Sequence, residues 1–365
     1  MDREQILAFR LARTGLARRG ATSLAEAAAT PASDFARDAA LQALAARRRD
    51  SLTRAAYDDA VESGEEIVVA HVVRGAIHAL PADDHALFGR ALIATDDEEL
   101  GPQLGRQVQR LAKEHSFAPS AALAEVADAT ADALAGGRAL SKNELHEQLR
   151  RRLRKELLPW CKGCKSHHAP PMLWRYAGVQ AGARLDPKRR YLLGAPRGSP
   201  AAAEAARRFL ASYAPATAGD LADWAGIARS HADRVWAEIA DELIEVKAGR
   251  RTVYALAADR ADLEDPSAAE GVVLIPPGDP YLQKVNRPLL APDPELRKRL
   301  FRPVASPGVV LAGGRLVGLW RAKSKGKKAE IAVEKLGRVA RHDLEAEAER
   351  IAALRGAGEP VLVVD

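Results

Sequence analysis

The sequence predicts an α+β fold made of tandem winged helix–turn–helix modules with a C-terminal β-rich domain. Three observations carry this expectation. A pair of short helices with a hairpin behind them spans residues 217–256, and another pair of helices, broken at Gly136-Gly137, precedes it. After residue 267 the chain becomes a series of short apolar runs separated by Pro and Gly. With 365 residues, 47% of them hydrophobic, the chain is long enough for two or more buried cores. Its net charge of +6 suits an anionic partner without demanding one.

Residues 1–60 read as helical, with Ile6, Leu7, Ala8, Leu11 and Leu16 in one segment and Leu41, Leu44 and Ala45 in another. Acids stand among the bases of the first twenty residues, so they read as a helix and not as a secretory signal. No apolar run approaches membrane-spanning length. The β-branched run from Ile67 to Val73 predicts a strand, and Pro81 with Asp83 opens the next helix. An alanine-rich helix over 120–134 runs into Gly136-Gly137. Ser141 and Glu144 then form a capping box for a helix with the stripe Leu145, Leu149 and Leu153.

Thr217 and Asp220 mark a further helix start, with Leu221 and Trp224 on one face and an end at Gly226. A second stripe follows at Ala232, Val235, Trp236, Ile239, Ala240 and Leu243. The period then changes from helical to alternating on either side of Ala248-Gly249-Arg250, which predicts a β-hairpin. Residues 264–271 read as a polar linker. Beyond it, the Gly-Gly of "AGGRLVG" predicts a hairpin turn, and "DLEAEAERIAALRG" predicts the one helix before the last strand.

Helix, turn, helix and hairpin is the order of a nucleic-acid reader, although the same order also serves plain protein packing. Lys247, Arg250 and Arg251 in the wing favour phosphate contact, whereas Glu238, Asp241 and Glu242 on the preceding helix oppose it. Arg150, Arg151, Arg152, Arg154 and Lys155 form a basic cluster, which is either a footprint on phosphate or a solvated helix face. His71 and His78 flank Arg74-Gly75. They read as packed or capping residues, though an Arg-Gly turn also leaves backbone free to approach an anion.

The segment "WCKGCKSHH" places Cys161, Cys164, His167 and His168 close together. Zinc accepts those residue types, but three ligands so near in sequence would crowd a tetrahedron, and no redox βαβ context surrounds the CxxC. It reads as an ordinary loop, and neither a metal nor an organic cofactor is expected. Two cysteines in one CxxC suit a reducing cytosol. No Ser-His-Asp order, GxSxG, P-loop or dinucleotide fingerprint is present, and the five tryptophans read mainly as core.

In order along the chain, "RGAIHALPADD", "LSKNELHEQL", "WCKGCKSHH", "YAPATAGDLADWAGI", "IPPGDPYLQ" and "GRLVGLWR" resemble the AlkZ-like and YcaQ-like bacterial DNA glycosylases. The likeness covers nearly the whole chain. It implies three tandem winged helices around a β-rich domain, here expected at residues 1–118, 119–195, 196–266 and 267–365. It also implies a concave channel for double-stranded DNA, and excision of alkylated or crosslinked bases by N-glycosidic hydrolysis in the cytoplasm, on the nucleoid. Arg74, His78, Arg150, Arg151, Arg154, Lys247, Arg250 and Arg251 are the expected DNA contacts.

The family's chemistry resembles the work of a Gln-x-Gln or Gln-x-Asp pair just before an Ala/Leu helix that ends in Arg. Here that helix is "DAALQALAAR", ending at Arg47, and Ser33-Asp34-Phe35 fall where the pair belongs. The glutamines are missing. Asp34 or Asp38 is the expected water-activating carboxylate, although Asp34 also fits a plain helix cap. Gly278 stands where a bulky apolar residue is expected before Asp279. A glycosylase, a non-catalytic DNA-binding or regulatory protein on the same scaffold, and a structural protein are the three readings.

Overall fold

A computed structural model describes residues 1–36, 38–302 and 304–365. The chain separates into two compact units, each assembled from non-contiguous segments. Met1–Asp59, Arg207–Thr217 and Ala240–Asp365 form the first, Ala60–Ala206 and Ala218–Ile239 the second.

From the N-terminus the elements are α1 (Arg3–Arg13), α2 (Leu24–Ala27), β1 (Ala32–Ser33), α3 (Ala39–Ala45), α4 (Arg54–Ser63), β2 (Ile67–His71) and β3 (Ile77–Pro81). Five helices follow, α5 (His85–Arg90), α6 (Asp97–Leu104), α7 (Arg106–His115), α8 (Pro119–Leu134) and α9 (Lys142–Arg152). Next come β4 (Trp160–Cys161), β5 (Ser166–His167), α10 (Pro171–Ala181), β6 (Ala183–Leu185) and β7 (Tyr191–Leu193). They lead to α11 (Ala202–Tyr213), α12 (Ala218–Ala225) and α13 (Arg229–Ala237), then β8 (Leu243–Ala248), β9 (Arg251–Leu256) and α14 (Arg260–Glu264). The last part holds β10 (Val272–Ile275), α15 (Arg287–Leu290), α16 (Pro294–Leu300), β11 (Gly308–Ala312), β12 (Arg315–Lys325), β13 (Lys328–Lys335), α17 (Arg341–Leu354) and β14 (Glu359–Val364). The fold is mixed α+β. No helix among the described residues is long and apolar enough to cross a membrane.

The first unit is built on the sheet β10-β11-β12-β13-β14. Alternation along each strand sends successive side chains to opposite faces. Val273, Ile275, Val309, Leu311 and Leu319 pack with Leu11, Leu16, Tyr281, Leu290 and Leu300 on one side. Leu274, Val310, Trp320, Ile331 and Val333 pack with Leu344, Ala348 and Ile351 of α17 on the other. Strands β13 and β14 are parallel, a pairing that needs a crossover, and α17 provides it. The hairpin β8–β9 runs in register from Leu243 opposite Leu256 to Ala248 opposite Arg251, and Gly249 takes the positive φ that its tight turn requires. The helix expected to continue to Leu243 ends instead at Ala237, because Leu243 is already committed to the strand pair.

In the second unit strands run in the order β3-β2-β6-β7, and every residue of β2 is buried. Helix α9 starts with the expected capping box, Ser141 and Glu144 each bonding the other's backbone amide. Strands β6 and β7 leave little trace in the sequence because each has three residues and β6 carries Arg184 at its centre. The core beside β2 is polar at one point. His71 donates through Nδ1 to the Gly75 carbonyl at 2.8 Å, accepts at Nε2 from the Tyr191 hydroxyl at 3.1 Å, and meets Trp174 edge-on. Burial is the main cause that pushes the His71 imidazole down to about 4. His78, 3% exposed, is likewise pushed down to about 4 by burial and then by the Arg74 charge.

A histidine whose folded value lies below its unfolded one takes up its proton first in the unfolded chain. Stability is therefore complete above about pH 6.5 and lost as pH falls toward about 4. Urea unfolding at about pH 7.5 and about pH 5.5 should differ by about 1 kcal/mol for each of these two histidines. His78→Gln should shrink the difference, and equal stability at both pH values would contradict the buried neutral state.

Candidate functional site

Helix α3 is short, and every residue from Ala39 to Ala45 is buried, as its Ala/Leu composition requires. Its first turn is capped from a distance. Asp38 sits at the N-cap with φ 68° and makes no side-chain cap bond, while the buried Asp34 carboxylate accepts from the Ala40 amide at 3.2 Å. Asp38 instead pairs with Arg54 at 2.9 Å. Asp34 therefore reaches the start of the helix, where its anionic oxygen complements the unpaired amides.

The other end of α3 is tied more tightly. Arg47 forks onto Asp279 with both contacts at 2.8 Å, and the two side chains are 3% and 0% exposed. The same guanidinium donates to the Thr14 carbonyl at 2.6 Å and the Ala43 carbonyl at 2.7 Å. Asp279 in turn accepts from the Tyr281 amide at 2.9 Å and so caps the short turn Pro280–Leu282. Gly278 has φ +84°, a conformation that disfavours side chains, and a Cβ there would lie 3.4 Å from Ser33 Oγ. The expected bulky residue is disfavoured here by that left-handed backbone, and not by Ser33, which a Cβ would meet only at ordinary contact distance. A second buried guanidinium, Arg10, donates to Ala214, Pro215 and Val285 carbonyls and to Asn286 Oδ1, fixing the same region.

Beside these loops lies a cavity of about 190 Å³, lined by Ala36, Ala39, Gln42, Pro276, Trp320 and Arg321 among others. Trp320 donates to the Ile275 carbonyl at 2.8 Å, and only a glycine fits at 308, where a Cβ would strike the indole at 2.2 Å. Gln42 is 4% exposed, and it lines this cavity. Sequence reasoning missed it. The available signal was one amide inside a helix otherwise made of alanine and leucine.

The basic residues fall into separate groups. Within the second unit, Arg150 and Arg151 share the Glu147 carboxylate, the latter at 2.9 Å, and Arg154 pairs with Glu125 at 3.2 Å while stacking over Phe117. Residues 147–156 still hold five cations against two carboxylates. In the first unit Lys247, Arg250 and Arg251 stand exposed around the hairpin turn, with Lys247 donating to Thr252 Oγ1 at 2.7 Å. Arg74 and His78 turn inward within the second unit. The Arg74 guanidinium donates to the Trp224 carbonyl and its stem fills the space beside Gly226, while His78 Nδ1 donates to the Ala76 carbonyl at 3.0 Å. Cys161, Cys164 and His168 converge, their ligand atoms all within 4.8 Å of one another.

Breaking the Arg47–Asp279 pair from one side strands a buried charge. Arg47→Met or Asp279→Leu alone should destabilise the chain by about 3–5 kcal/mol in denaturant unfolding, and the double replacement by much less than the sum. Additive losses would mean the two side chains act independently.

The profile of the AlkZ-like DNA glycosylase family matches residues 7–354. The solved structure of the Streptomyces sahachiroi DNA glycosylase AlkZ is similar over 100% of both chains, with a TM-score of 0.77 and 20% sequence identity, a likeness of fold. No curated protein matches this chain. With its fold shared end to end and the family profile spanning nearly all of its length, the chain belongs to the AlkZ-like DNA glycosylase family.

Proposed function

We propose that this chain binds double-stranded DNA on tandem winged helix–turn–helix modules and hydrolyses the N-glycosidic bond of alkylated or crosslinked bases. On this reading it works in the cytoplasm, on the nucleoid, with the modules at 1–118, 119–195 and 196–266 and the β-rich domain at 267–365. Helix pairs followed by hairpins support the module assignment, α12 and α13 before β8–β9 in sequence being the clearest case. The half-buried Arg150 and the exposed Arg151, Arg154, Lys247, Arg250 and Arg251 are the cations assigned to phosphate. Arg74 and His78, turned inward within the second unit, support its scaffold.

The observation that carries the catalytic part is the cavity beside the start of α3, with the Gln42 amide and the Arg321 cation on its lining. Cleavage of a base–sugar bond builds positive charge on the sugar, which a nearby carboxylate stabilises, and it needs a water held in line. Asp34 supplies the carboxylate and Gln42 orients the water. Asp38, neutralised by Arg54, holds the loop. A second reading, DNA binding without catalysis, is favoured by one observation: Asp34 already spends an oxygen on the Ala40 amide.

Raising salt from about 50 to about 200 mM should weaken duplex binding about 40-fold to about 2,000-fold, for about three to six neutralised phosphates. Arg150→Ala and Arg151→Ala should each lower the salt slope by about 1. Wild-type protein should convert alkylated duplex to alkali-labile abasic sites. Asp34→Asn, which keeps an acceptor for Ala40, should lose about 10²-fold of that rate. Binding without product selects the second reading, and no binding at the lower salt removes both.

A further inference from the structure

The hairpin β4–β5 folds the segment "WCKGCKSHH" so that chemistry spread over eight residues meets at one point. Trp160 pairs with His167 and Cys161 with Ser166, and Lys165 takes a left-handed conformation that closes the turn. Cys161 ends the outgoing strand, Cys164 lies in the turn, and His168 follows the returning strand. The crowding expected from the spacing is relieved because the chain reverses between the second cysteine and the histidine.

His168 has the orientation of a metal ligand. Its Nδ1 donates to the Ala169 carbonyl at 2.8 Å, which leaves the lone pair on Nε2. That Nε2 is buried and has no hydrogen-bond partner, in a residue only 8% exposed. On helix α9, His146 offers a further nitrogen. Its Nε2 is also buried and unpartnered, and its ring centroid lies 5.2 Å from that of His168, braced edge-on by Trp174. His167 differs, since it is exposed, donates to the Leu158 carbonyl at 2.8 Å and packs against Trp160.

We propose that Cys161 Sγ, Cys164 Sγ and His168 Nε2 bind one Zn²⁺, and that His146 Nε2 on α9 completes the tetrahedron. Two thiolates with two imidazoles in a tetrahedral arrangement select zinc among the common divalent ions. Bond lengths of about 2.3 Å to sulfur and about 2.1 Å to nitrogen place ligand atoms about 3.5–3.8 Å apart. The separations among the Cys161, Cys164 and His168 ligand atoms, within 4.8 Å, close to that by shifts of about 1 Å. The second ligand pair comes partly from a separate helix, as structural zinc sites require. The ion would join β4–β5 to α9.

The test is metal content and ligand-field spectroscopy on the full-length protein purified under reducing conditions and loaded with one equivalent of Zn²⁺ or Co²⁺. About one zinc per chain should survive gel filtration, with both thiols protected from a thiol reagent until a chelator is added. The Co²⁺ form should show the intense visible bands of a tetrahedral site and thiolate charge transfer in the near ultraviolet. Cys164→Ser and His168→Gln should lose the metal, His146→Gln should weaken zinc binding about tenfold or more, and His167→Gln should leave it unchanged. The wild-type cobalt spectrum decides the matter even if a variant fails to fold. Less than about a tenth of an equivalent of bound zinc, a weak octahedral cobalt spectrum, a Cys161–Cys164 disulfide in the reduced protein, or full zinc retention in folded Cys164→Ser would each overturn the proposal.

Discussion

The first unit turns on a single buried fork, Arg47 on Asp279. A charge pair taken out of water is stable only when its remaining hydrogen-bonding capacity is also met, and here it is. The guanidinium reaches the carbonyls that close α1 and α3, and the carboxylate caps the turn that leads into Tyr281. Three segments far apart in sequence therefore share one bonded centre. The position of Asp34 follows from it, because its carboxylate is anchored to the start of the same short helix. The cavity beside Gln42 follows in turn. An apolar pair of equal volume could fill the space but could not fix the direction of three chain segments at once.

Local signals were legible and non-local ones were not. The capping box at Ser141 and Glu144 could be read because its two halves lie three residues apart and belong to one turn. The β8–β9 hairpin could be read from alternation around Gly249, and α17 from its spacing before the last strand. Arg47 and Asp279 were each marked by resemblance, yet nothing in the sequence joined residues 232 positions apart. Arg74 shows the same limit from the other side. Whether its side chain turns outward or inward depends on the Trp224 carbonyl, which belongs to a helix read separately. Gln42 was overlooked because the apolar stripe around it defined the helix so well, and an amide on a buried face announces itself only when its neighbours are known.

Charge on the surface is less simple than the composition suggests. Glu147 sits between Arg150 and Arg151, and Glu125 holds Arg154 over Phe117. Pairs this exposed contribute little to stability, since water screens them and long side chains lose freedom in making them. Their value lies in poise. A partner with denser negative charge can take these arginines over at small cost, while in its absence the glutamates keep the helix from repelling itself. The net charge of the chain is thus a poor guide to where its usable cations stand.

The order in which the chain visits its two units also matters. It leaves the first for the second after Asp59, returns at Arg207, departs again after Thr217 and comes back at Ala240. Neither half is a continuous length of sequence. Neither can be excised as one continuous length of sequence without cutting the other. In that respect the molecule differs from a string of beads whose members may be gained, lost or reordered over time.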